Sequence, residues 1–176
     1  MGDALNSLFG EADVQFVLQG TGEPRYEESL RNLQSRYPDK ARMFLVLDFS
    51  LARQIFAGSD IYLSPSRFEP CGLSHLIAMH YGAIPVVRRT GGLAETVIDC
   101  PSDLSTGLGF VFEGYDQNEL LIALRRVVAA FHRKEEWHKL MRRVMQADFS
   151  WKSSVSKYVS LYQMAQRKAM GDGTNV

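Results

Sequence analysis

The sequence lacks most features that mark a secreted, membrane-spanning or nucleic-acid-binding protein. It has only two cysteines in 176 residues, Cys71 and Cys100, without the CxxC spacing of a zinc site or a redox pair. Twenty basic residues balance twenty acidic ones, so no excess positive charge attracts nucleic acid or an anionic membrane. No apolar run approaches the roughly 20 residues of a membrane span, and the N-terminus lacks a signal-peptide pattern. We therefore expect reduced thiols, no nucleic-acid or membrane partner, and a cytoplasmic location, or the plastid stroma in a plant.

Short β-rich apolar runs alternate with helical patterns along the chain. Strands are predicted at 14–18, 43–47, 61–63, 84–87 and 109–112. Helices are predicted near 25–36, from Ser50 as N-cap through Phe56, at 73–81, from 118 onward and from near 150. This alternation predicts an α/β fold, a Rossmann-like parallel sheet with helices on both faces, followed by C-terminal helices.

The beginning of the pattern predicts that this chain is a fragment. A doubly wound domain commonly opens with a strand, whereas residues 4–9 have a helical pattern with no strand pattern ahead of them. We expect residues 1–170 to form a single Rossmann-like domain that lacks its first strand, and residues 171–176 to form a disordered tail. Because a missing strand leaves a sheet edge unpaired, we also expect self-association through that edge.

The most informative segment is SRFEPCGLS at 66–74, between the predicted strand at 61–63 and the predicted helix at 73–81. Free backbone N–H groups at a helix start bind anions, and Gly72 allows a phosphate to approach the backbone closely. Glu69 is placed to accept hydrogen bonds from sugar hydroxyls. A pocket that holds sugar and phosphate together indicates a nucleotide-sugar enzyme, although a carboxylate that merely caps a nearby helix is the structural alternative for Glu69.

Two glycine-containing turns are weaker signals. Gly20 and Gly22 follow the first predicted strand, and either cradle a phosphate or form an ordinary turn. Thr90 and Gly91 follow the fourth strand, and either face a ligand or start a helix.

Other polar residues give no clear site. His75 and His80 lie five residues apart, outside the i, i+4 spacing of shared metal ligands, so we expect structural histidines and no metal site. Arg88 and Arg89 either steer a diphosphate or form a salt bridge at the rim of the sheet.

Three segments resemble the C-terminal domain of bacterial glycogen synthases and plant starch synthases. They are PSRFEPCGL at 65–73, AMHYGAIPVVRRTGGL at 78–93 and DFSW at 148–151. The resemblance extends from near Ala4 to about Ala165. It implies a GT-B fold, in which two Rossmann-like domains face a cleft and this one binds the nucleotide-sugar donor. It also implies transfer of glucose from ADP-glucose, or sometimes UDP-glucose, to the non-reducing end of an α-1,4-glucan with retention of configuration.

The same resemblance implies roles for individual residues. Glu69 matches the catalytic-site glutamate that contacts the donor glucose. The donor-binding residues that we predict are Cys71, Gly72, Leu73, Ser74, Gly20, Gly22, Thr90 and Gly91. Preorganised amide groups would stabilise the departing nucleoside diphosphate, and no metal or other cofactor is expected. Because the glucan acceptor would bind to an N-terminal domain that this sequence lacks, we expect the isolated chain to be inactive.

The sequence departs from the family pattern at the position of the nucleotide-stacking residue, and the basic clamp for the donor phosphates would precede residue 1. Leu47, beside Asp48, occupies the position of the family's nucleotide-stacking tyrosine, and Phe49 substitutes for it only if the loop shifts. Leu47 and the missing clamp leave open a non-catalytic scaffold or glucan-associated module. Another retaining GT-B glycosyltransferase is the second alternative, and Ile77 counts against it, because those enzymes usually carry a second glutamate at this position, eight residues after the first.

Overall fold

Parallel strands alternate with helices in the computed structural model, which describes residues 1–171. The chain divides into two compact units, Met1–Met145 and Gln146–Val176. The elements in chain order are α1 Gly2–Glu11, β1 Phe16–Gln19, α2 Pro24–Arg36, β2 Ala41–Phe44, α3 Phe49–Gly58, β3 Ile61–Ser64, α4 Ser74–His80, β4 Ile84–Arg88, α5 Gly91–Thr96, β5 Phe110–Phe112, α6 Gln117–Phe131, α7 Lys134–Met145 and α8 Trp151–Gly171. The predicted α/β class is confirmed, with helices on both sides of parallel sheets.

The five strands form two sheets. In the first sheet β1 pairs with β2, and Phe16 lies opposite Ala41. In the second sheet the order is β3-β4-β5, so β4 has a neighbour on each side. All of these pairings are parallel, and βα units of this kind place the loops that follow the strands of a sheet at one edge.

The second sheet contains the best-buried strand. Ile84, Val86 and Val87 of β4 are completely buried, as expected for a parallel strand that is covered on both faces. Pro85 lies second in β4, near the strand start. Around this strand the largest buried side chains come from helices α4 to α7, and they include Met79, Leu93, Val127, Trp137, Leu140 and Val144.

Two local predictions around β2 are wrong. The strand covers Ala41–Phe44 and not 43–47, because its pairing with β1 ends at Phe44 and the chain then leaves the sheet. The N-cap of α3 is Asp48 and not Ser50, because the Asp48 carboxylate accepts hydrogen bonds from the Ser50 and Leu51 amides at 2.8 and 3.0 Å. A carboxylate that accepts from the first free amides of a helix is a strong cap.

Helix α8 belongs to the second unit. The Asp148 carboxylate accepts a hydrogen bond from the Ser150 amide at 2.9 Å just ahead of this helix. Its apolar residues Val155, Val159, Tyr162 and Met164 are exposed. The part of the predicted tail 171–176 that follows Gly171 lies outside the described residues. A single domain over residues 1–170 stays a prediction.

None of the helices within residues 1–171 has the length and apolar character needed to cross a membrane.

Candidate functional site

The loop that follows β3 brings Glu69 and Gly72 together. Gly72 has φ of 73°, a left-handed conformation that favours glycine. A Cβ atom at this position would lie 3.1 Å from Cγ of Glu69 and 3.0 Å from Nδ1 of His75. The Glu69 side chain is half-buried. The carboxylate arm and the backbone of Gly72 therefore share one small region, which a larger residue at position 72 would disturb.

Gly91 and Gly92, at the start of α5, pack directly against the backbone of this loop. The Gly92 amide donates a hydrogen bond to the Glu69 carbonyl at 3.1 Å. A Cβ atom at Gly91 would overlap the Glu69 carbonyl oxygen, and one at Gly92 would overlap the carbonyl oxygen of Cys71. Thr90 is the N-cap of α5, and its side chain makes no capping hydrogen bond. The close backbone contact gives these glycines a structural function, whereas the predicted ligand contacts of Thr90 and Gly91 stay predictions.

Arg88, at the carboxyl end of β4, joins the loops on both sides of that strand. Its Nε donates to the Ser66 carbonyl at 2.9 Å, and its two terminal nitrogens donate to the carbonyls of Arg67 and Glu113. The guanidinium also lies 5.6 Å from the centroid of the Tyr115 ring. Arg88 therefore fixes the start of the Glu69 loop against the segment after β5.

The neighbouring Arg89 behaves differently. It forms an ion pair with the exposed carboxylate of Glu113 at 2.6 Å. The rim salt bridge expected for the arginine pair is thus made by Arg89, and sequence reasoning missed the positioning contacts of Arg88. The feature of the sequence that could have indicated these contacts is an arginine directly after the apolar run 84–87.

His75 lies under the loop and is 1% exposed. Its Nε2 is 2.7 Å from the Thr96 hydroxyl, which donates its own proton to the Gly92 carbonyl at 2.6 Å. His75 must therefore donate from Nε2, because the Thr96 proton is already used. Its Nδ1 is buried without a hydrogen-bond partner. Burial lowers the pKa of His75, against a smaller opposing effect of the Glu69 charge, so the ring is neutral at neutral pH.

Tyr62 and Ser74 complete the base of the loop. Burial raises the pKa of Tyr62, a hydrogen bond with Ser74 lowers it, and the negative charge of Glu69 raises it further. Ser74 begins α4, whose N-cap residue, Leu73, provides no side-chain cap. Leu73 and Cys71 are exposed at the rim of the site. The structure thus gathers Glu69 and the whole predicted group 71–74 in one place.

Gly20 and Gly22 follow β1, at the carboxyl end of that strand. The Gly20 amide donates to the Phe44 carbonyl at 3.0 Å, which extends the pairing with β2. The Gly22 amide donates to the Glu27 carboxylate at 3.0 Å. These contacts belong to the first sheet and do not involve the Glu69 loop. Their predicted part in donor binding stays a prediction.

The same end of the first sheet carries two exposed apolar side chains. Leu47 is 79% exposed and Phe49 is 84% exposed, on either side of the capping residue Asp48. Phe49 is the first residue of α3, and its ring is free to stack on a planar ligand.

The residues of the site limit the kinds of ligand that it can recognise. A half-buried carboxylate lies beside a glycine backbone, and the adjacent histidine is neutral and already hydrogen-bonded to Thr96. Among residues 1–171, no group of three or more His, Cys, Asp or Glu side chains is placed to hold a metal ion. Such a site suits recognition of hydroxyl groups and anions through hydrogen bonds.

The fold is that of one domain of a glycosyltransferase of the GT-B type. The family description "Glycosyl transferases group 1" matches residues 3–130, and the chain belongs to this family.

Within this family the chain is similar to glycogen and starch synthases. It is 46% identical over 162 residues to a glycogen synthase of Fervidobacterium nodosum, a match that covers 92% of this chain and 33% of that protein. A glycogen synthase of Thermosipho africanus is 45% identical over 157 residues, covering 89% of this chain and 32% of that protein. The chain therefore spans about a third of the length of the curated relatives it matches.

A solved structure agrees with these relatives. The catalytic domain of starch synthase IV from Arabidopsis thaliana, bound to ADP and acarbose, superposes with a TM-score of 0.74 at 37% identity. That match covers 85% of this chain and 32% of the other. The resemblance seen in the sequence is thereby confirmed.

Proposed function

We propose that this chain is the donor-binding half of a glycogen or starch synthase. The complete enzyme transfers glucose from ADP-glucose to the non-reducing end of an α-1,4-glucan with retention of configuration. Two findings support this proposal: the 45–46% identity to glycogen synthases over about nine-tenths of the chain, and the similarity to a starch synthase domain that was solved with ADP.

The observation that carries the proposal is the shared position of Glu69 and Gly72. The Glu69 carboxylate accepts hydrogen bonds from glucose hydroxyls, while the loop backbone from Cys71 to Ser74 faces the diphosphate. Gly91 and Gly92 pack closely against this loop, because a Cβ atom at either position would overlap one of the loop's carbonyl oxygens. The geometry is therefore fixed before the donor binds, which reduces the ordering cost of binding.

The contribution of this half to catalysis is electrostatic. When the bond between glucose and diphosphate breaks, negative charge grows on the leaving group. Amide dipoles that are already aimed at it stabilise that charge more in the transition state than in the ground state. The glucosyl group passes through an oxocarbenium-like state, and the acceptor attacks on the face that the diphosphate leaves. No step requires a general base or a metal ion from this chain.

The remaining partners follow from the same proposal. The α-glucan acceptor binds to a second domain, so the isolated chain binds the donor but does not turn it over. Self-association through the free edges of the sheets stays a prediction, which concentration-dependent sedimentation would test. The cytoplasmic or plastid location expected from the sequence also stays a prediction.

Titration calorimetry with ADP and ADP-glucose tests donor binding. We expect saturable binding to the wild-type chain, loss of binding in Gly72→Val, and a stronger loss for ADP-glucose than for ADP in Glu69→Ala. Glu28→Ala, which removes an exposed carboxylate from α2, is the matched control and should bind like the wild type. No saturation at millimolar ligand would contradict the proposal.

The same titration separates the two alternatives. A non-catalytic scaffold or glucan-associated module would bind maltooligosaccharide without binding either nucleotide. Another retaining GT-B glycosyltransferase would prefer a different nucleotide-sugar, and UDP-glucose is the first competitor to include. The exposed Leu47 at the position of a stacking tyrosine is the observation that favours the scaffold.

A further inference from the structure

The segment from Glu69 to His75 is anchored at both ends on α5. At its start, the Glu69 carbonyl accepts a hydrogen bond from the Gly92 amide at 3.1 Å. At its end, Nε2 of His75 lies 2.7 Å from the Thr96 hydroxyl, which donates to the Gly92 carbonyl at 2.6 Å. Because the Thr96 hydroxyl gives its only proton to Gly92, it can only accept from the ring. Thr96 therefore selects the tautomer of His75 that carries its proton on Nε2.

This tautomer leaves a bare, buried acceptor nitrogen beside the Glu69 side chain. Nδ1 of His75 has no hydrogen-bond partner, although the residue is only 1% exposed. A Cβ atom at Gly72 would lie 3.0 Å from this nitrogen and 3.1 Å from Cγ of Glu69, so the two side chains border the same small space. A bare nitrogen cannot donate to a carboxylate. A protonated Nδ1 would donate to Glu69 in a charge-assisted hydrogen bond and draw the carboxylate into the protein.

We propose that His75 and Thr96 are positioning residues that keep the Glu69 carboxylate free to bind the hydroxyl groups of the donor sugar. Thr96 holds the ring proton on Nε2, and the lone pair of Nδ1 then disfavours a close pair with the negative charge of Glu69. A buried polar atom without a partner costs free energy, and such an atom in a native protein calls for an explanation. Here the unpaired nitrogen keeps the neighbouring carboxylate available for a ligand.

The inference rests on the proposed function, in which Glu69 binds the sugar of the donor and the loop backbone binds its diphosphate. It predicts that a change of tautomer weakens the contact with the sugar and leaves the contact with the nucleotide in place. The quantity to measure is therefore the affinity for ADP-glucose relative to the affinity for ADP. A variant that only loosened the loop would weaken the binding of both ligands to the same extent.

Substitutions of Thr96 in the full chain test the inference. Thr96→Val keeps the shape of the side chain but removes the acceptor for Nε2, and Thr96→Ser keeps the hydroxyl group. Thr106→Val is the matched control, because Thr106 is exposed in the loop after α5. Calorimetry at neutral pH gives the two affinities. Nitrogen-15 NMR of the ligand-free chain shows which ring nitrogen of His75 carries the proton, and the His75 signals are assigned by their loss in His75→Gln.

We expect the proton on Nε2 in the wild type and in Thr96→Ser, and on Nδ1 in Thr96→Val. Thr96→Val should weaken ADP-glucose binding by about tenfold relative to ADP binding, since the carboxylate is then paired inside the protein. Thr96→Ser and Thr106→Val should bind both ligands like the wild type. In a Glu69→Ala background, Thr96→Val should not change the ratio of the two affinities further, because the group through which it acts is already gone.

Three results would overturn the inference: a proton on Nδ1 in the wild type, an unchanged tautomer in Thr96→Val, or equal losses of ADP and ADP-glucose binding. If Thr96→Val does not fold, Thr96→Ala removes the same hydroxyl and takes its place. If the wild type binds neither nucleotide, the proposed function is contradicted, and the NMR spectra of the ring alone decide whether Thr96 sets the tautomer of His75.

Discussion

The two sheets of the first unit differ sharply in how completely they are buried. The β3-β4-β5 sheet surrounds a strand with no exposed apolar residue, and its loops are fixed by Arg88, Gly91 and Gly92. In the β1-β2 sheet only Ala41 is buried, and the loop after β2 exposes Leu47 and Phe49. Both sheets have the same parallel architecture, so the difference lies in the neighbours that each strand has.

This difference shows which half of the unit is stabilised by a buried core of its own. The half that carries Glu69 has its own core and a preorganised loop. The half that carries Gly20 and Gly22 has strands in which Ala41 is the only buried residue. Substitutions should therefore lower the free energy of unfolding strongly around the β3-β4-β5 sheet and only slightly around the β1-β2 sheet.

Paired glycine substitutions should show the largest contrast. In Gly92→Val, the new side chain overlaps the carbonyl of Cys71, so backbone must move. We expect a loss of about 3 kcal/mol or more in the free energy of unfolding. Gly22→Val enters open space in the first sheet and should change that free energy by less than about 0.5 kcal/mol. Urea denaturation of both variants measures the two losses in the free energy of unfolding. Equal losses would contradict the predicted difference between the sheets.

Arginine substitutions should show a smaller contrast. Arg88→Ala removes charge-assisted hydrogen bonds to the carbonyls of Ser66, Arg67 and Glu113. We expect a stability loss of about 2 kcal/mol and about tenfold weaker ADP binding. Arg88→Lys should not restore ADP binding, since an ammonium cannot span several carbonyls in one plane. Arg25→Ala, which removes an exposed ion pair with Glu23 and an exposed contact with the Tyr26 ring, is the control and should cost less than about 1 kcal/mol.

The exposed loop after β2 can be tested through the nucleotide base. If Phe49 stacks on adenine, Phe49→Ala should weaken ADP binding by about 1–3 kcal/mol, a typical contribution of an aromatic side chain that stacks on a base. Leu47→Ala should have a smaller effect, because an aliphatic side chain offers no π face. The affinity of each variant for ADP measures this difference. A larger effect at Leu47 would assign the base contact to that residue and contradict the role of Phe49.

The smallest expected effect is a pH dependence of stability from His75. Its folded-state pKa lies below the ordinary value of 6.5, so the unfolded chain binds more protons below that pH. Stability is therefore fully present above about pH 6.5 and falls as the pH decreases towards the folded pKa.

His75→Gln should flatten this fall between about pH 6.5 and 5, in chemical denaturation at several pH values. The lowered pKa values of Glu11 and Asp103 do not interfere, because their stabilising effect is lost only below the ordinary values of 4.5 and 3.8. An unchanged pH profile in His75→Gln would show that His75 is not the titrating group.

Sequence patterns were sufficient for the fold class and for the central motif. The alternation of apolar runs and helical patterns predicted the parallel architecture, and β3 and β4 were placed within a residue because both are bounded by polar or turn residues. The apolar run at 43–47 misled the prediction of β2, because the strand ends where its partner β1 ends and not where hydrophobicity ends.

The supporting contacts of the site could not be predicted in the same way. Arg88 reaches its carbonyl partners only because β3 and β5 flank β4, and hydrophobic periodicity contains no information about strand order. The packing of Gly91 and Gly92 on residues 69–71 likewise depends on a close approach of two loops that are distant in the sequence.

Protection of Cys71 from alkylation measures the central claim most directly, that residues 66–74 form the donor-binding loop. Cys71 is exposed in this loop and Cys100 is buried, so the chain contains its own unreactive reference. With iodoacetamide and mass spectrometry, we expect Cys71 to react readily without ligand and several-fold more slowly with saturating ADP-glucose, while Cys100 stays unmodified in both samples. An unchanged rate of Cys71 alkylation at millimolar ADP-glucose would contradict the account.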